Sequence, residues 1–398
     1  MAYLASGMRG SAVLSTRSLG RLSLLGAGLI VAQSVGSLVM TFFIGEDFLP
    51  LRNAGRAILH GQSVYTDPNF VYPPTAAPLF VPLALGPAQL SFGCYLALSI
   101  LGLFVAAGLI ARAAPQRLRL PVLAAGVLAL LTGPVAAGSL FLGNLSVLLV
   151  PATVLILVAF HQQRWLLGCA LLVATLLIKP LLAPLLLVPA VRRRWLELLW
   201  AVVPGLAVLV LAVLLVPGGR DFGQVLSYCL SGTNLHGANA INNLSLRGWG
   251  EAHHLDPMWG SLASMLVALI VLARLVQLLR RHGAASVPPL QLANLALLVT
   301  MLTGRIAEVH FLLCLLAGMI LHLTVQRSRR LTLLALPGLI MLGAPQAYLG
   351  LVAADSAMRQ SWLVAAELLL LLPLLARPPV RPAPAGGRPA RRAFLVPA

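Results

Sequence analysis

Charge is scarce in this chain, and lysine is almost absent. Only 10% of the 398 residues are charged, whereas a soluble domain carries about 25%. Apolar residues make up 59% of the chain, and the mean hydropathy is +0.94. So few charges cannot cover a folded domain with a polar surface, which excludes a water-soluble globular protein and a disordered chain.

The apolar residues form long runs without the polar alternation of barrel strands, so they predict membrane-spanning helices. The sequence therefore predicts an all-α, polytopic integral membrane protein of about 11–13 transmembrane helices. Run 76–87 is too short to cross a bilayer as a helix, so it is expected to be re-entrant or extended by its neighbours. Lys179-Pro180 is expected to break run 166–190 into two half-helices. The predicted spans are 22–44, 76–87, 90–111, 121–141, 146–160, 166–190, 198–216, 259–279, 290–304, 307–325, 331–350 and 361–376.

Cysteine is also rare: the four cysteines show neither metal-ligand spacing nor a plausible disulfide pair. The adjacent pair His253-His254 is rejected as a metal site, because neighbouring side chains point apart and no third ligand is near in sequence. We expect no metal and no other cofactor.

The net charge of +18 comes from arginines clustered between apolar runs, as at Arg192–Arg194. Such clusters follow the positive-inside rule, with anionic lipids as counterions, so nucleic acid is not the expected partner. Residues 1–21 are then cytoplasmic, 22–376 form the membrane domain with outer loops 45–75 and 217–258, and 377–398 form a disordered basic cytoplasmic tail. Arg112, Arg117 and Arg119 contradict this orientation if run 76–87 is a true span.

Most of the ten acidic residues fall in the two outer loops, and Glu46-Asp47 follows the first span directly. A carboxylate at this place can act as a general base, or it can simply cap a helix. Gly61 is placed to end an amphipathic helix, and Tyr65 and Tyr72 supply aromatic side chains at the interface. The apolar positions of that helix are Leu49, Leu51, Ala54, Ile58 and Leu59.

Lys179 is the only lysine, and it lies within the apolar stretch ATLLIKPLLAP. A lysine in the bilayer core costs about 2.5–3.5 kcal/mol on insertion scales, so it requires an anionic partner such as a lipid phosphate. The alternative is a lysine that snorkels to the interface from near the end of a span.

Two further polar segments interrupt the apolar pattern, at 242–249 and 304–310. The amide of Asn243 and the hydroxyl of Ser245 suit sugar hydroxyls, and the guanidinium groups of Arg247 and Arg305 suit phosphate. Glu308 and His310 stand at the start of an apolar span, where His310 can donate to a leaving phosphate. Polar groups that only satisfy helix ends explain both segments equally well.

The order of these motifs resembles glycosyltransferase family 87, whose members have the multi-spanning GT-C fold and include bacterial mannosyltransferases. The resemblance covers about residues 40 to 325. Its residues are Asp47-Phe48, Gly61, Tyr65, Phe70-Val71-Tyr72-Pro73-Pro74, Gly143-Asn144, Lys179-Pro180, Asn243-Leu244-Ser245-Leu246 and His310. The chain departs from the family pattern at 49–52, which reads LPLR, and at Val309, where the family has a second histidine.

The resemblance implies transfer of a hexose, expected to be mannose, from a polyprenyl-phosphate sugar to a lipid or glycan acceptor. The reaction would be inverting, on the outer face of the bacterial cytoplasmic membrane, with Asp47 as the base. The donor phosphate would be bound by Lys179, Arg247, His310 and Arg305. The remaining substrate contacts would come from Glu46, Tyr65, Tyr72, Asn144, Asn243, Ser245 and Glu308.

Two other functions fit the same features. A flippase or transporter of lipid-linked sugars also needs cations and aromatic side chains in a membrane cavity, but it needs no carboxylate beside an acceptor. A lipid-linked oligosaccharide polymerase or ligase would use a preassembled donor instead of a single sugar on a prenyl phosphate.

Overall fold

A computed structural model describes most of the membrane domain. The described residues are 21, 25, 28, 44–231, 243–283, 287–304, 307–343 and 356–376. The predicted first span at 22–44, the cytoplasmic tail at 377–398 and Arg305 lie essentially outside this part of the chain. Within it the protein is helical, with a single antiparallel bridge between Asn243 and Glu308 and no β-strand. The predicted all-α fold is thus confirmed.

The α-helices are numbered here in chain order. They are α1 Phe48–Leu59, α2 Val81–Ala84, α3 Ala88–Ala113, α4 Arg119–Leu131, α5 Pro134–Leu142, α6 Ser146–His161, α7 Trp165–Leu176, α8 Leu187–Val191, α9 Trp195–Leu215, α10 Phe222–Ser231, α11 Leu246–Ala252, α12 Pro257–His282, α13 Pro289–Thr303, α14 Leu312–Gln326, α15 Arg329–Gly343 and α16 Ser356–Leu375. Short 3₁₀ helices are Val64–Thr66, Ala77–Phe80, Gln116–Leu118, Pro180–Leu186, Gly219–Asp221 and Val309–Phe311.

Four helical segments of the described part are long and apolar enough to cross a membrane: α3, α9, α12 and Val309–Gln326. Helices α4 and α5 together would form a fifth span, bent by 53°. Gly133-Pro134 lies at the bend, where proline cannot donate the next helical hydrogen bond. Other apolar helices, including α6, α7 and α13, are shorter than a full span. The predicted total of about 11–13 spans stays a prediction.

Burial separates the helices into an inner and an outer group. Helices α6 and α14 lie in the interior, since most of their residues are buried and α6 packs on α3, α7 and α14. Helices α9 and α12 instead expose rows of leucine and valine. Apolar side chains exposed on this scale are expected to face lipid, which supports a multi-pass membrane protein.

The structure settles the form of two irregular segments within the predicted spans. The break predicted at Lys179-Pro180 is confirmed, because α7 ends at Leu176 and a 3₁₀ helix begins at Pro180. Run 76–87, which the sequence shows to be too short for a span, forms only a 3₁₀ turn and the four-residue α2. Its prolines, Pro78 and Pro82 among them, favour short first-turn structure over a long helix.

The predicted amphipathic helix is confirmed as α1, and Gly61 follows its end with a positive φ of +64°. Phe48 and Leu51 are fully buried in a second apolar cluster formed with the loop that follows the helix. Leu49 and Leu59, 37% and 47% exposed, point away from that cluster. They remain available to contact lipid.

Candidate active site

Asp47 lies where the chain enters α1 and packs against the turn between α5 and α6. Its backbone N–H donates to the carbonyl oxygen of Leu142 at 2.9 Å. Its carboxylate oxygen Oδ2 accepts a hydrogen bond from Asn144 Nδ2 at 2.8 Å. The Asp47 side chain keeps 35% of its surface exposed, so it can meet a substrate from one side while the bundle holds it from the other.

Asn144 is presented by a left-handed turn at the end of α5. Gly143 has φ +68°, and an added Cβ there would come within 2.8 Å of Phe48 Cβ. The Asn144 side chain then bridges three groups: its amide nitrogen donates to Asp47, while Oδ1 accepts from the Ser146 backbone N–H at 2.9 Å and from Lys179 Nζ at 3.3 Å. One side chain therefore links the acid to the only lysine.

Lys179 is buried in the break that follows α7, with 8% of its surface exposed. Its Nζ donates to Ser146 Oγ at 2.9 Å and to Asn144 Oδ1 at 3.3 Å. The ammonium also lies 5.5 Å from the Tyr72 ring centroid and 5.2 Å from that of Phe311, which is cation–π distance. The lysine does not snorkel to the interface, because its charge is held inside the bundle by polar and aromatic partners.

His310 completes the cluster from the start of the span that contains α14. Its Nε2 lies 3.5 Å from Asp47 Oδ2, and its Nδ1 lies 2.9 Å from Ser139 Oγ. Ser139 Oγ also bonds the carbonyl oxygen of Val135 at 2.6 Å. If the hydroxyl donates to Val135, the imidazole carries its proton on Nδ1; if it donates to His310, Nε2–H faces Asp47. Either tautomer ties the imidazole to α5.

The carboxyl groups of Asp47 and Glu308, which both lie within the electrostatic range of Lys179, are shifted towards their neutral forms. Burial raises the pKa of Asp47, while the hydrogen bond from Asn144 and the charge of Lys179 oppose that rise. Glu46, which is exposed, adds a like charge and acts in the same direction as burial. Burial also raises the pKa of Glu308, against the attraction of Lys179. A carboxyl with a raised pKa is better suited to accept a proton near neutral pH than an exposed aspartate is.

The other predicted site residues have structural contacts. Asn243 Oδ1 accepts hydrogen bonds from the backbone N–H groups of Ser245 and Ala307 at 3.2 and 2.9 Å. The backbone of Asn243 also forms an antiparallel bridge with Glu308, so the loop before α11 is joined to the segment that carries Glu308. Ser245 caps α11 by accepting from Gly248 N–H at 3.1 Å. These contacts hold Glu308 in place and give no direct indication of sugar binding.

Arg247 and the two tyrosines also have defined partners. Arg247 Nε pairs with Glu251 at 2.9 Å, and its side chain is 43% exposed. Tyr65 donates its hydroxyl to the carbonyl oxygen of Tyr72 at 2.9 Å, which leaves the Tyr72 ring beside Lys179. The structure therefore brings Tyr72 to the cluster directly and Tyr65 only through Tyr72.

Sequence reasoning missed three contributors to the site: Ser139, Ser146 and Phe311. Both serines lie within six residues of Asn144 in otherwise apolar helices. A hydroxyl in such a helix was the signal that could have found them. Phe311 carries no signal of its own, because an aromatic residue in an apolar span is ordinary. In the described residues no group of three or more histidine, cysteine, aspartate or glutamate side chains is placed to hold a metal ion.

The fold and the site together define a multi-pass membrane protein with a carboxylate, an amide and a buried ammonium joined at one end of its helices. The model of glycosyltransferase family 87 matches residues 70–303, more than half of the chain, and the chain belongs to this family. The matched region contains Asn144 and Lys179, while Asp47 and His310 lie just outside it.

The similar curated proteins are alpha-(1->3)-arabinofuranosyltransferases. The chain is 27% identical to that of Corynebacterium glutamicum over 257 residues, which cover 63% of this chain and 61% of the relative. It is 28% identical to that of Mycolicibacterium smegmatis over 60% of this chain and 56% of the relative. The Mycobacterium tuberculosis protein is 29% identical over 50% of this chain and 48% of its own length. The matches thus span about half to three fifths of these relatives. No solved structure matches the chain.

Proposed function

We propose that this protein transfers a sugar from a polyprenyl phosphate to a hydroxyl of a lipid or glycan acceptor, with Asp47 as the general base. The observation that carries the proposal is the Asp47 carboxylate itself. It is partly exposed, hydrogen-bonded to Asn144 and set beside the buried charge of Lys179. Membership of family 87 supports the same class of reaction.

The proposed reaction is a single displacement at the anomeric carbon. The acceptor oxygen bonds to that carbon while the bond from the carbon to the donor phosphate oxygen breaks, and the phosphate leaves with the electron pair. The acceptor proton passes to the Asp47 carboxylate. A positioned base of this kind contributes roughly 10²–10⁴-fold to the rate. Attack on the side opposite the phosphate inverts the anomeric configuration.

Lys179 is the group we assign to the leaving phosphate. An ammonium has three N–H donors, and Asn144 and Ser146 accept two of them, so one remains for a phosphate oxygen. A buried cation next to the point where negative charge grows stabilises the transition state more strongly than an exposed one does. His310 is close enough to Asp47 to orient the carboxylate or share the proton it accepts.

For the sugar, we propose arabinofuranose in place of the expected mannose. The relatives of the chain carry the name arabinofuranosyltransferase, so the expectation of a hexose has no support from them. The shared length is only part of each relative, and the acceptor is therefore left as a lipid or glycan hydroxyl. We place the site on the outer face of the cytoplasmic membrane, opposite the arginine-rich helix ends.

The test is sugar transfer by the purified protein in nanodiscs with radiolabelled polyprenyl-phosphate arabinofuranose or polyprenyl-phosphate mannose and a host envelope extract. Label is expected to move to a new product from the arabinose donor, and Asp47→Asn is expected to reduce turnover by at least about 100-fold while donor binding persists. The matched control is Asp256→Asn. It removes the same charge at the start of α12, where asparagine caps a helix as well as aspartate does.

Each other result has a defined meaning. Full turnover by Asp47→Asn would remove Asp47 as the base. Transfer from the mannose donor alone would mean that the transferred sugar is a hexose, as the sequence predicted, and not arabinofuranose. An absence of product with both donors, together with lipid-linked sugar movement that Asp47→Asn leaves intact, would favour the transporter.

A further inference from the structure

A large cavity opens at the ends of the helices that lie away from Asp47. It has a volume of about 1020 Å³ and lies between the last turns of α3, α6 and α14 and the first turns of α4 and α7. Helix α6 begins at Ser146 in the Asp47 cluster and ends at His161 in the cavity wall. Sixteen residues at 1.5 Å each separate the two sites by about 24 Å. The cavity is therefore separate from the candidate active site.

Four arginines line this cavity, and no acidic residue does. Arg112 ends α3, Arg119 begins α4, Arg164 precedes α7 and Arg327 follows α14. Among the described residues none of the four forms an ion pair with an aspartate or glutamate; the ion pairs found there involve other side chains. Four positive charges around one cavity repel each other, and an anion bound between them offsets this repulsion.

The rest of the wall is apolar. Leucine and valine side chains from α3, α6, α7 and α14 line the cavity beneath the arginines. A small soluble anion would use the guanidinium groups and leave this apolar surface exposed to water, which is unfavourable. An amphiphile would use both parts, with its charged group among the arginines and its hydrocarbon along the leucines.

We propose that this cavity binds the phosphate head group of a membrane lipid. Guanidinium groups bind phosphate oxygens in pairs through parallel N–H donors, which suits a phosphodiester or phosphomonoester head. Basic pockets between membrane helices on the arginine-rich side of a protein hold anionic lipids by this chemistry. The head group can come from two sources, an anionic glycerophospholipid or a polyprenyl phosphate.

The experiment measures lipid binding to the full-length protein in neutral detergent by native mass spectrometry, and it needs no turnover. The probes are dioleoylphosphatidylglycerol, dioleoylphosphatidylcholine and undecaprenyl phosphate. We expect phosphatidylglycerol to bind more tightly than phosphatidylcholine, and Arg112→Gln with Arg164→Gln to weaken that binding by about 10- to 30-fold. A thermal unfolding curve without added lipid checks that the double variant is folded.

The matched control is Arg56→Gln with Arg220→Gln, which removes two exposed arginines outside the cavity wall. This variant carries the same net charge and is expected to bind lipid as the parent does. Only the lipid binding that is lost in Arg112→Gln with Arg164→Gln is assigned to the cavity. Undecaprenyl phosphate bound near Lys179 is unaffected by these substitutions and is therefore not counted. Arginine-sensitive binding of phosphatidylglycerol, of undecaprenyl phosphate or of both supports the proposal and identifies the source.

Two results would overturn the proposal. The first is equal binding of phosphatidylglycerol and phosphatidylcholine with no arginine-sensitive binding of undecaprenyl phosphate. The second is an equal loss of binding in the cavity variant and in the control variant, which would mean that net charge and not the cavity attracts the lipid. Neither result depends on whether Asp47 is a base.

Discussion

At the scale of single residues, burial raises the pKa of the candidate base Asp47, and Asn144 is the side chain that opposes this rise most. Its amide nitrogen donates to Asp47, and its oxygen accepts from Lys179. A donated hydrogen bond stabilises the ionised carboxylate, so it lowers the pKa of Asp47 against the effect of burial. A reaction that needs ionised Asp47 proceeds above that pKa and is lost as the pH falls through it.

We predict that Asn144→Ala moves the acid limb of the kcat/KM profile to higher pH. Without the donor from Asn144, burial raises the pKa of Asp47 further, so the base becomes protonated at a higher pH than in the parent. The lost positioning is expected to lower kcat by about 10- to 100-fold as well. The profile is measured with the proposed arabinose donor.

The control for this prediction is Asn53→Ala. Asn53 Nδ2 also donates to a carboxylate, that of Asp67, at 2.8 Å, but this pair is exposed and lies outside the cluster. Its loss should leave the acid limb in place. An unshifted limb in Asn144→Ala would mean that Asp47 does not control the pH dependence.

At the scale of elements, the turn between α5 and α6 fixes the distance from Asp47 to Asn144. Gly143 turns the chain with φ +68°, and the preceding carbonyl oxygen, that of Leu142, accepts from Asp47 N–H. Sequence reasoning found Gly143-Asn144 only through the family resemblance. The contact with Asp47 crosses 97 positions of the chain, and no local periodicity reports a pairing at that separation.

We predict that Gly143→Ala destabilises the protein more than Gly61→Ala does. Both glycines have positive φ, but an added Cβ at Gly61 meets no atom within 4 Å, whereas at Gly143 it meets Phe48 Cβ at 2.8 Å and Phe92 Cε2 at 2.9 Å. The extra crowding is expected to cost about 1–3 kcal/mol, which corresponds to a Tm lower by roughly 1–4 °C for a chain of this length.

Thermal unfolding in nanodiscs measures this difference, and Gly61→Ala serves as the control for backbone strain alone. Because Phe48 follows Asp47 directly, Gly143→Ala is also expected to reduce turnover, which Gly61→Ala should not. Equal Tm values for the two variants would show that Phe48 and Phe92 move to accommodate the new methyl group without a loss of stability.

At the scale of the whole molecule, six arginines gather at one end of the bundle. Arg112, Arg119, Arg164 and Arg327 line one cavity and so lie at the same end. Trp165 lies at that end too, and the guanidinium carbons of Arg192 and Arg194 are 5.7 and 5.6 Å from the centroid of its ring. The conflict seen in the sequence is removed, since 76–87 forms no span and α3 can run directly from the Asp47 end to the arginine end. The proposed orientation, with the arginine end in the cytoplasm, agrees with the positive-inside rule.

We predict that cysteines introduced at Arg117 and Arg220 react from opposite sides of the membrane. Both side chains are exposed; Arg117 lies beside the cavity end, and Arg220 lies in the loop that packs on Ser63 after α1. The background carries Cys94→Ala and Cys229→Ala. A membrane-impermeant maleimide applied to right-side-out and inside-out vesicles measures the exposure.

Arg220→Cys should react in right-side-out vesicles and Arg117→Cys in inside-out vesicles. Reaction of both from the same side would contradict the single crossing by α3. Reaction of Arg117→Cys in right-side-out vesicles and of Arg220→Cys in inside-out vesicles would agree with the crossing by α3 but would invert the proposed orientation.

The sequence by itself determined the class of protein, most of its helices and the break at Lys179. These are local properties: a run of apolar residues is inserted as a helix wherever it occurs, and proline interrupts a helix at its own position. It also indicated that Asp47, Lys179 and His310 matter, because a charged or titratable group beside apolar spans needs a partner.

Only the tertiary structure identified the partners of Asp47, Lys179 and His310. Lys179 donates to Asn144 and Ser146, and Asp47 contacts Asn144 and His310, because packing of α6, α7 and α14 brings distant positions close together. Packing likewise joins arginines from four separate helix ends around one cavity. Contacts between residues far apart in the chain depend on how helices pack in three dimensions, and hydropathy along one dimension does not contain that information.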